Sequence, residues 1–202
     1  DVTAEIARQS GEMRLRLGSL EPTVITQEFC DRLAGTGKLC RHFHLSLQSG
    51  CDRTLKAMNR KYDTAGFLEK TRLLRKAFPG CGITCDLIVG FPGETEDDFA
   101  MTQRLCIEQQ FAWIHAFPFS PRPGTPAMDM RPQIPERIKG ERVKWLSDMA
   151  VKGKIDYVSY WKGRTLSAIV ENSRALRTKG MSVDQINVIH CVTENFLHVE
   201  CP

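Results

Sequence analysis

The segment Gly82-Ile-Thr-Cys-Asp-Leu-Ile-Val-Gly-Phe-Pro-Gly-Glu-Thr95 decides the fold of this chain of 202 residues. Its first eight residues form a continuous apolar run that only Asp86 interrupts, which predicts a buried strand. The glycines and the proline of residues 90–93 predict a tight turn. Thr95 with Asp98 then predicts a capping box that begins a helix reaching about Gln110. A strand followed directly by a helix is the repeating unit of parallel sheets, so the segment indicates an α/β fold.

The same alternation of strand and helix extends from this segment in both directions. Further strands are predicted at residues 13–17, 42–47 and 113–119, and helices at residues 26–33, 52–60, 63–78 and 135–160. Parallel strands joined by helical crossovers account for this order over residues 1–130. Four such units are fewer than a closed barrel needs. The fold class predicted for residues 1–160 is therefore α/β, with parallel strands in part of a (β/α) barrel.

The pattern changes beyond Trp161. Residues 165–170, 186–192 and 196–199 are short runs rich in β-forming residues, and polar turns separate them. They predict a small all-β domain over residues 161–202.

Composition and charge exclude some classes of protein and leave others open. The chain is 42% hydrophobic and 26% charged, as ordinary globular proteins are. No apolar run is long enough to span a membrane and the first residues do not form a signal peptide, so a cytoplasmic location is expected. A net charge of +4 permits a nucleic-acid partner without requiring one. Because the sequence begins at Asp1 rather than at a methionine, we expect it to be cut from a longer protein.

The eight cysteines are too sparse for a disulfide scaffold and are interpreted as reduced thiols in the core. The close pair Cys81 and Cys85 has no third cysteine at the spacing of an iron–sulfur or zinc motif. The sequence therefore predicts no metal site formed by this chain alone.

Polar or glycine residues follow each predicted strand. In parallel α/β folds the carboxyl ends of neighbouring strands meet at one edge of the sheet, where ligands bind. One carboxylate can accept from both hydroxyls of a ribose, and an arginine can pair with a carboxylate through two hydrogen bonds. The residues at these strand ends predict one shared site for a ligand with hydroxyls and charged ends; they are Ser19, Glu21, Gln48, Ser49, Gly50, Asp86, Gly90, Gly93, Glu94, Ser120 and Arg122. Arg60 or Arg122 is the arginine that could pair with a carboxylate of the ligand.

A structural interpretation of the same residues stays open. Ser19 and Glu21 are also typical turn residues before a proline, Gln48 can begin the next helix, and residues 90–93 can form an ordinary turn. Asp86 is harder to explain in this way, because a carboxylate within an apolar strand needs a partner. The strand histidines are expected to be hydrogen-bonded residues of the core or barrel wall rather than ligands, and the strand aromatics to be core; the two sets are His42, His44 and His115, and Trp113, Phe117 and Phe119.

Five stretches in the same order resemble the radical S-adenosylmethionine (SAM) tRNA methylthiotransferases of the MiaB type. The resemblance covers nearly the whole chain and is strongest to the MtaB-like branch because of residues 16–22 and 58–62. The stretches are Arg14-Leu-Arg-Leu-Gly-Ser-Leu-Glu-Pro22, His44-Leu-Ser-Leu-Gln-Ser-Gly-Cys-Asp52, Leu55-Lys-Ala-Met-Asn-Arg-Lys-Tyr62, Asp86-Leu-Ile-Val-Gly-Phe-Pro-Gly-Glu-Thr95 and Phe117-Pro-Phe-Ser-Pro-Arg-Pro-Gly-Thr-Pro-Ala127.

The resemblance implies a radical SAM barrel followed by a TRAM domain, which is an OB-like barrel that binds tRNA. It implies an enzyme that adds a methylthio group to C2 of N6-threonylcarbamoyladenosine next to the anticodon. The implied cofactors are SAM and two [4Fe–4S] clusters, and the implied partners are the tRNA anticodon stem-loop and a reductant protein. Since Ile88 stands where the family's third cluster cysteine would be needed, we expect this chain to ligate neither cluster and to be inactive alone. No catalytic side chain is identified.

Three alternatives remain. One is a tRNA-binding protein that carries an inactive barrel, and a second is a MiaB-type enzyme that acts on isopentenyladenosine. The third is a different radical SAM enzyme, such as a porphyrinogen oxidase relative, against which the TRAM-like tail argues.

The resemblance also assigns SAM contacts to individual residues. Gln48 and Asp86 would hold the ribose, Arg60 would lie near the methionine carboxylate, and Arg122 would contact SAM or the substrate. The remaining contacts are Ser19 and Glu21 at the amino-acid end and Gly90, Gly93, Phe119 and Ser120 around the adenine.

Contacts to RNA phosphates are implied for the basic residues of the last domain. Acidic residues are interspersed there, so a solvated charged surface is an equal alternative. The residues are Lys162, Arg164, Arg174, Arg177 and Lys179, and the preceding helix adds Arg137, Lys139, Arg142 and Lys144, either to the same RNA face or to a solvent-exposed face.

Overall fold

The computed structural model describes residues 2–9, 11, 13–175 and 187–201, and for residues 172–175 and 187–188 it describes the backbone alone. Helices and strands alternate as far as the end of a long helix, and strands alone follow it. The elements are α1 (Val2–Gln9), β1 (Ser19–Leu20), α2 (Gln27–Ala34), β2 (His42–Gln48), α3 (Asp52–Ala57), α4 (Thr64–Ala77), β3 (Gly82–Val89), α5 (Glu96–Gln109), β4 (Trp113–Pro118), α6 (Pro126–Asp129), α7 (Glu136–Trp161), β5 (Ala168–Ala175), β6 (Asn187–Thr193) and β7 (His198–Cys201).

Two sheets organise the described chain. The first is parallel with the order β1-β2-β3-β4, and the second is antiparallel with the order β5-β6-β7. The parallel sheet with helical crossovers confirms the predicted α/β class. The antiparallel sheet is compatible with the predicted all-β domain, whose likeness to a TRAM domain stays a prediction, as does the division near residue 160.

The first predicted strand is wrong. Residues 13–17 do not form a strand, and the pairing with β2 occurs instead at Ser19 and Leu20. Leu15 makes an isolated bridge to Leu39, through hydrogen bonds between Leu15 N and Lys38 O (2.9 Å) and between Cys40 N and Leu15 O (2.7 Å). The alternating basic residues of this segment bind elsewhere: Arg14 donates to Ser167 O, and Arg16 donates to Thr193 O. The alternation of apolar and basic residues at 13–17 therefore reflects tertiary contacts of the two arginines rather than a strand.

The two faces of the parallel sheet differ in polarity, and this difference positions the site. Alternate residues of the central strands are fully buried beneath the helices, together with Phe67, Leu74 and Leu146 from α4 and α7. Because side chains alternate along a strand, the intervening positions share the opposite face. That face carries His42, His44, Thr84, Asp86, Ile88, His115 and Phe117.

The start of α5 agrees with the sequence. The Thr95 hydroxyl accepts from Asp98 N (3.2 Å), and the Asp98 carboxylate accepts from Thr95 N (2.7 Å), which is the predicted capping box. Arg53 of α3 forms an ion pair with Asp98, so the box also ties two helices together. No helix among the described residues is long and apolar enough to cross a membrane.

Candidate functional site

A cavity of about 590 Å³ lies at the carboxyl ends of β2, β3 and β4. Gln48 is the last residue of β2, and its backbone is left-handed (φ 66°) at a place where the register with β3 shifts. Such irregularities re-aim a side chain and are frequent at functional sites. The cavity is lined by Gln48, Asp86, Ile88, Phe117, Pro118, Phe119, Ser120, Arg122, Thr125 and Ala127.

Asp86 finds the partner that an inward carboxylate requires. His44 Nε2 lies 3.0 Å from Asp86 Oδ2, and His44 Nδ1 lies 2.8 Å from Thr84 Oγ1. His44 is thus a hydrogen-bonded wall residue, as expected. Burial is the largest of the effects that lower the pKa of His42 to about 4, so this histidine is neutral at pH 7. Asp86 therefore lines the cavity while its carboxylate is held by His44, which is not part of the cavity lining.

The turn after β3 is held by a buried ion pair. Gly90 N–H donates to the Glu94 carboxylate, and Arg142 Nη1 of α7 donates to Glu94 Oε2 (2.7 Å). Arg142 also pairs with the exposed Glu96 through Nη2 (2.6 Å). Burial raises the pKa of Glu94, while the Gly90 amide and Arg142 oppose that change. The turn is therefore fixed by a helix that begins more than 40 residues later in the chain.

Lys139 extends this contact to the end of β4. Its Nζ donates to Phe119 O (3.0 Å) and pairs with Glu136 (2.7 Å). Its methylenes fill the space where a Cβ on Gly90 would lie, 2.3 Å from Lys139 Cγ. Lys139 and Arg142 are both buried, so neither an RNA face nor a solvent-exposed face describes them, and both interpretations are wrong for these two residues. A basic helical pattern does not reveal that two of its cations bind partners on other elements, Arg142 the Glu94 carboxylate and Lys139 the Phe119 carbonyl.

The structure brings together some of the predicted SAM contacts and separates others. Gln48, Asp86, Phe119, Ser120 and Arg122 line the cavity. Arg60 lines a neighbouring cavity and pairs with Glu21 (Nη1 to Oε1, 3.3 Å).

The other predicted contacts lie outside the cavity lining. Ser19 is in β1 and is exposed. Gly90 and Gly93 form the turn after β3, with φ values of 72° and 80°, and Gly93 N donates to Pro132 O (2.9 Å).

Part of the cavity wall was missed from the sequence. Ile88 and Phe117 are register partners on the face that carries Asp86, so the alternation within the predicted strands could have identified both. The expectation that Phe117 belongs to the core is wrong, because this residue is 49% exposed. Thr125 and Ala127 reach the cavity from the loop and short helix after β4. No local signal marks these two residues, because the path of the loop brings them there.

The predicted RNA contacts are only partly within the described residues. Lys162 ends α7, and the Arg164 guanidinium lies 4.2 Å from the ring centroid of Tyr160. Arg177 and Lys179 lie outside the described residues, as does the side chain of Arg174.

Three buried cysteines, Cys81, Cys85 and Cys106, do not fit the ligand set of an iron–sulfur cluster. Burial raises the pKa of Cys81 and of Cys106 to about 12 and raises that of Cys85 well above the usual value of a thiol, so these thiols stay protonated. Thiolates are the form that binds iron. Within the part of the chain that the structure describes, no group of three or more His, Cys, Asp or Glu side chains could hold a metal ion.

Residues 4–106, which include β1, β2, β3 and most of α5, match the Radical SAM superfamily. The chain belongs to this superfamily. The matched residues end shortly before β4. The cavity is therefore lined both by residues inside the match and by residues that follow it.

Curated relatives of this radical SAM chain are named as tRNA methylthiotransferases, which agrees with the resemblance seen in the sequence. A threonylcarbamoyladenosine tRNA methylthiotransferase MtaB of Treponema pallidum is 46% identical over 84% of the chain. The protein of the same name from Bacillus subtilis is 36% identical over 95% of the chain. A tRNA-2-methylthio-N(6)-dimethylallyladenosine synthase of Bdellovibrio bacteriovorus is 35% identical over 85%. The chain spans only 35%, 41% and 38% of the length of these three relatives.

Solved structures show the same fold at low sequence identity. Coproporphyrinogen III oxidase of Escherichia coli, a radical SAM enzyme, superposes with a TM-score of 0.53 at 16% identity, over 79% of this chain and 36% of that one. Elp3 of Methanocaldococcus infernus superposes with a TM-score of 0.53 at 13% identity, over 91% and 54% of the two chains. These likenesses concern the fold alone.

Proposed function

We propose that this radical SAM chain is the SAM-binding and tRNA-facing part of an enzyme that adds a methylthio group to C2 of N6-threonylcarbamoyladenosine next to the anticodon. The observation that carries the proposal is the cavity in which Gln48 and Asp86 meet at the carboxyl ends of neighbouring strands. The names of the MtaB relatives support the choice of substrate. The activity of the whole enzyme is part of the proposal, because the chain spans a minor share of those relatives.

The lining of the cavity suits the adenosine part of SAM. Asp86 uses Oδ2 for His44, and none of the described hydrogen bonds occupies Oδ1, which is left to accept from a ribose hydroxyl. Gln48 can donate to and accept from the same ribose. Ile88, Phe117 and Phe119 supply apolar surface for the base. When bound, SAM supplies the radical chemistry and the methyl group of the reaction.

The proposed methionine end of SAM is less completely formed. Arg122 lines the cavity and could pair with the carboxylate of SAM or with the substrate. Arg60 is engaged by Glu21, so its proposed role requires this partly exposed ion pair to open.

Replacing Asp86 with asparagine should weaken SAM binding about tenfold, the loss expected for one hydrogen bond to a charged group. Isothermal titration calorimetry of SAM into the 202-residue chain measures the change. The matched control is D97N, which removes an exposed carboxylate on α5 outside the cavity lining and should leave the affinity within about twofold. An unsubstituted chain that does not bind SAM, or a D86N chain that binds it as tightly as D97N does, contradicts the proposed site.

The substrate assignment is tested with RNA. Relatives named MtaB match at 46%, 36% and 39% identity and relatives named for dimethylallyladenosine at 35–38%, so the first MtaB relative is the one that favours the threonylcarbamoyl substrate. We expect the chain to bind an anticodon stem-loop that carries threonylcarbamoyladenosine more tightly than the unmodified or isopentenylated stem-loop. Equal affinities measured by titration for all three would exclude the assignment, and preference for the isopentenylated one would favour the MiaB branch.

A further inference from the structure

Asp86 belongs to a row of hydrogen-bonded side chains that runs along the polar face of the parallel sheet. Its carboxylate contacts His44 Nε2 (3.0 Å), His44 Nδ1 contacts Thr84 Oγ1 (2.8 Å), and Thr84 Oγ1 contacts His42 Nε2 (3.3 Å). We propose that His44 is a positioning residue, which orients the Asp86 carboxylate towards the ribose of SAM. This role rests on the proposed SAM site.

For a neutral His44 ring, the chemistry of the groups gives one direction to each hydrogen bond in the row. An ionised carboxylate can only accept, so His44 must donate from Nε2. In that neutral ring the bare Nδ1 accepts from the Thr84 hydroxyl, and the Thr84 oxygen in turn accepts from the N–H at His42 Nε2. The low pKa of His42 keeps that ring neutral and agrees with this assignment. All three hydrogen bonds then run in the same direction, towards Asp86. Hydrogen bonds in such a chain polarise and so strengthen one another.

The position of His44 separates it from direct contact with the ligand. Asp86 lines the SAM cavity, whereas His44, Thr84 and His42 line a second cavity of about 490 Å³ on the same face of the sheet. That cavity is also lined by residues 195–197 of the turn before β7 and by His198 of β7, and the ring of Phe196 lies 4.5 Å from that of His42. His44 therefore acts on SAM through Asp86, whose Oδ2 it occupies and whose Oδ1 none of the described hydrogen bonds occupies.

Two substitutions of similar size separate the hydrogen bond from packing. H44L fills the space without a donor and should weaken SAM binding about tenfold, whereas H44Q keeps an amide N–H near Nε2 and should stay within about threefold. H115L is the matched control: His115 is the register partner of Asp86 and its ring meets that of His44 at 5.3 Å, yet none of the described hydrogen bonds joins it to Asp86. It should bind SAM within about twofold of the unsubstituted chain.

Nuclear magnetic resonance of the histidine ring nitrogens tests the row in the unsubstituted chain. We expect His44 to carry its proton at Nε2 and to be bare at Nδ1, and D86N to alter the His44 signals. A proton at Nδ1 with a bare Nε2 would overturn the proposal even if H44L fails to fold. Equal SAM affinity of H44L and the unsubstituted chain would overturn the role of His44 alone. A lack of SAM binding by the unsubstituted chain would instead refute the proposed function, and this role with it.

Discussion

Replacing Arg142 with alanine is expected to lower the free energy of unfolding by about 3–5 kcal/mol, the usual cost of removing one partner from a buried ion pair. The Arg142 side chain is 4% exposed and that of Glu94 is 1% exposed, so the substitution leaves a desolvated carboxyl without its cation. Burial already raises the pKa of Glu94, and loss of Arg142 removes one of the two groups that oppose this. Urea-induced unfolding followed by circular dichroism measures the change.

The natural control is an ion pair of the same length on the same helix. Lys144 and Asp148 are also 2.7 Å apart, but their side chains are 75% and 68% exposed. K144A should therefore cost no more than about 0.5 kcal/mol, because water screens the pair and solvates whichever partner remains. If R142A and K144A cost the same, the buried ion pair does not hold α7 against the turn after β3.

A double substitution tests whether the cost comes from the stranded charge. E94Q combined with R142M removes both charges, and such neutral replacements of buried pairs are often close to the parent in stability. The amide oxygen of a glutamine at position 94 can still accept from Gly90 N–H. We therefore expect the double variant to be more stable than R142A alone. A double variant less stable than R142A would show instead that shape and packing dominate at this position.

The sequence determines the central strands and helices because their signals are local. The apolar run at residues 82–89 predicts β3 with the bounds observed, and the capping box places the start of α5 correctly. The helix predicted at 52–60 ends earlier, at Ala57, and Asn59 shortly beyond it takes a left-handed backbone (φ 58°). Hydrophobic periodicity and capping motifs therefore predict the helices and strands of this chain reliably, except where a tertiary contact overrides them.

The candidate site is less predictable, since contacts across the sequence select its members. Strand-end polarity identifies Gln48 and Asp86, which do share a cavity. It cannot show that Arg60 meets Glu21, or that His44 reaches across to the next strand and contacts Asp86. The buried cations of α7 are likewise hidden within a pattern typical of an exposed helix. Pairing partners on other elements, rather than local composition, decide which polar residues face the cavity.

Two glycines of α7 are expected to respond to alanine with opposite signs. Helix propensity alone favours alanine over glycine by about 1 kcal/mol at either position. A Cβ on Gly140 would meet nothing within 4 Å, so G140A should gain most of this amount. A Cβ on Gly153 would lie 2.1 Å from the backbone oxygen of Phe111, a buried residue that precedes β4. A backbone atom cannot rotate away, so relief requires α7 to move off the sheet.

G153A should therefore lose about 3 kcal/mol or more, as overpacking at a rigid contact outweighs the gain in propensity. Thermal unfolding of both variants beside the parent chain measures the two signs in one experiment. The loss should also reach the candidate site, because the helix that carries Gly153 also carries Lys139, which holds Phe119 at the cavity. SAM affinity is then expected to fall in G153A and to stay unchanged in G140A. A G153A variant more stable than the parent would mean that α7 does not pack against Phe111 as described. The proposed effect of this contact on SAM binding through Lys139 and Phe119 would then be wrong as well.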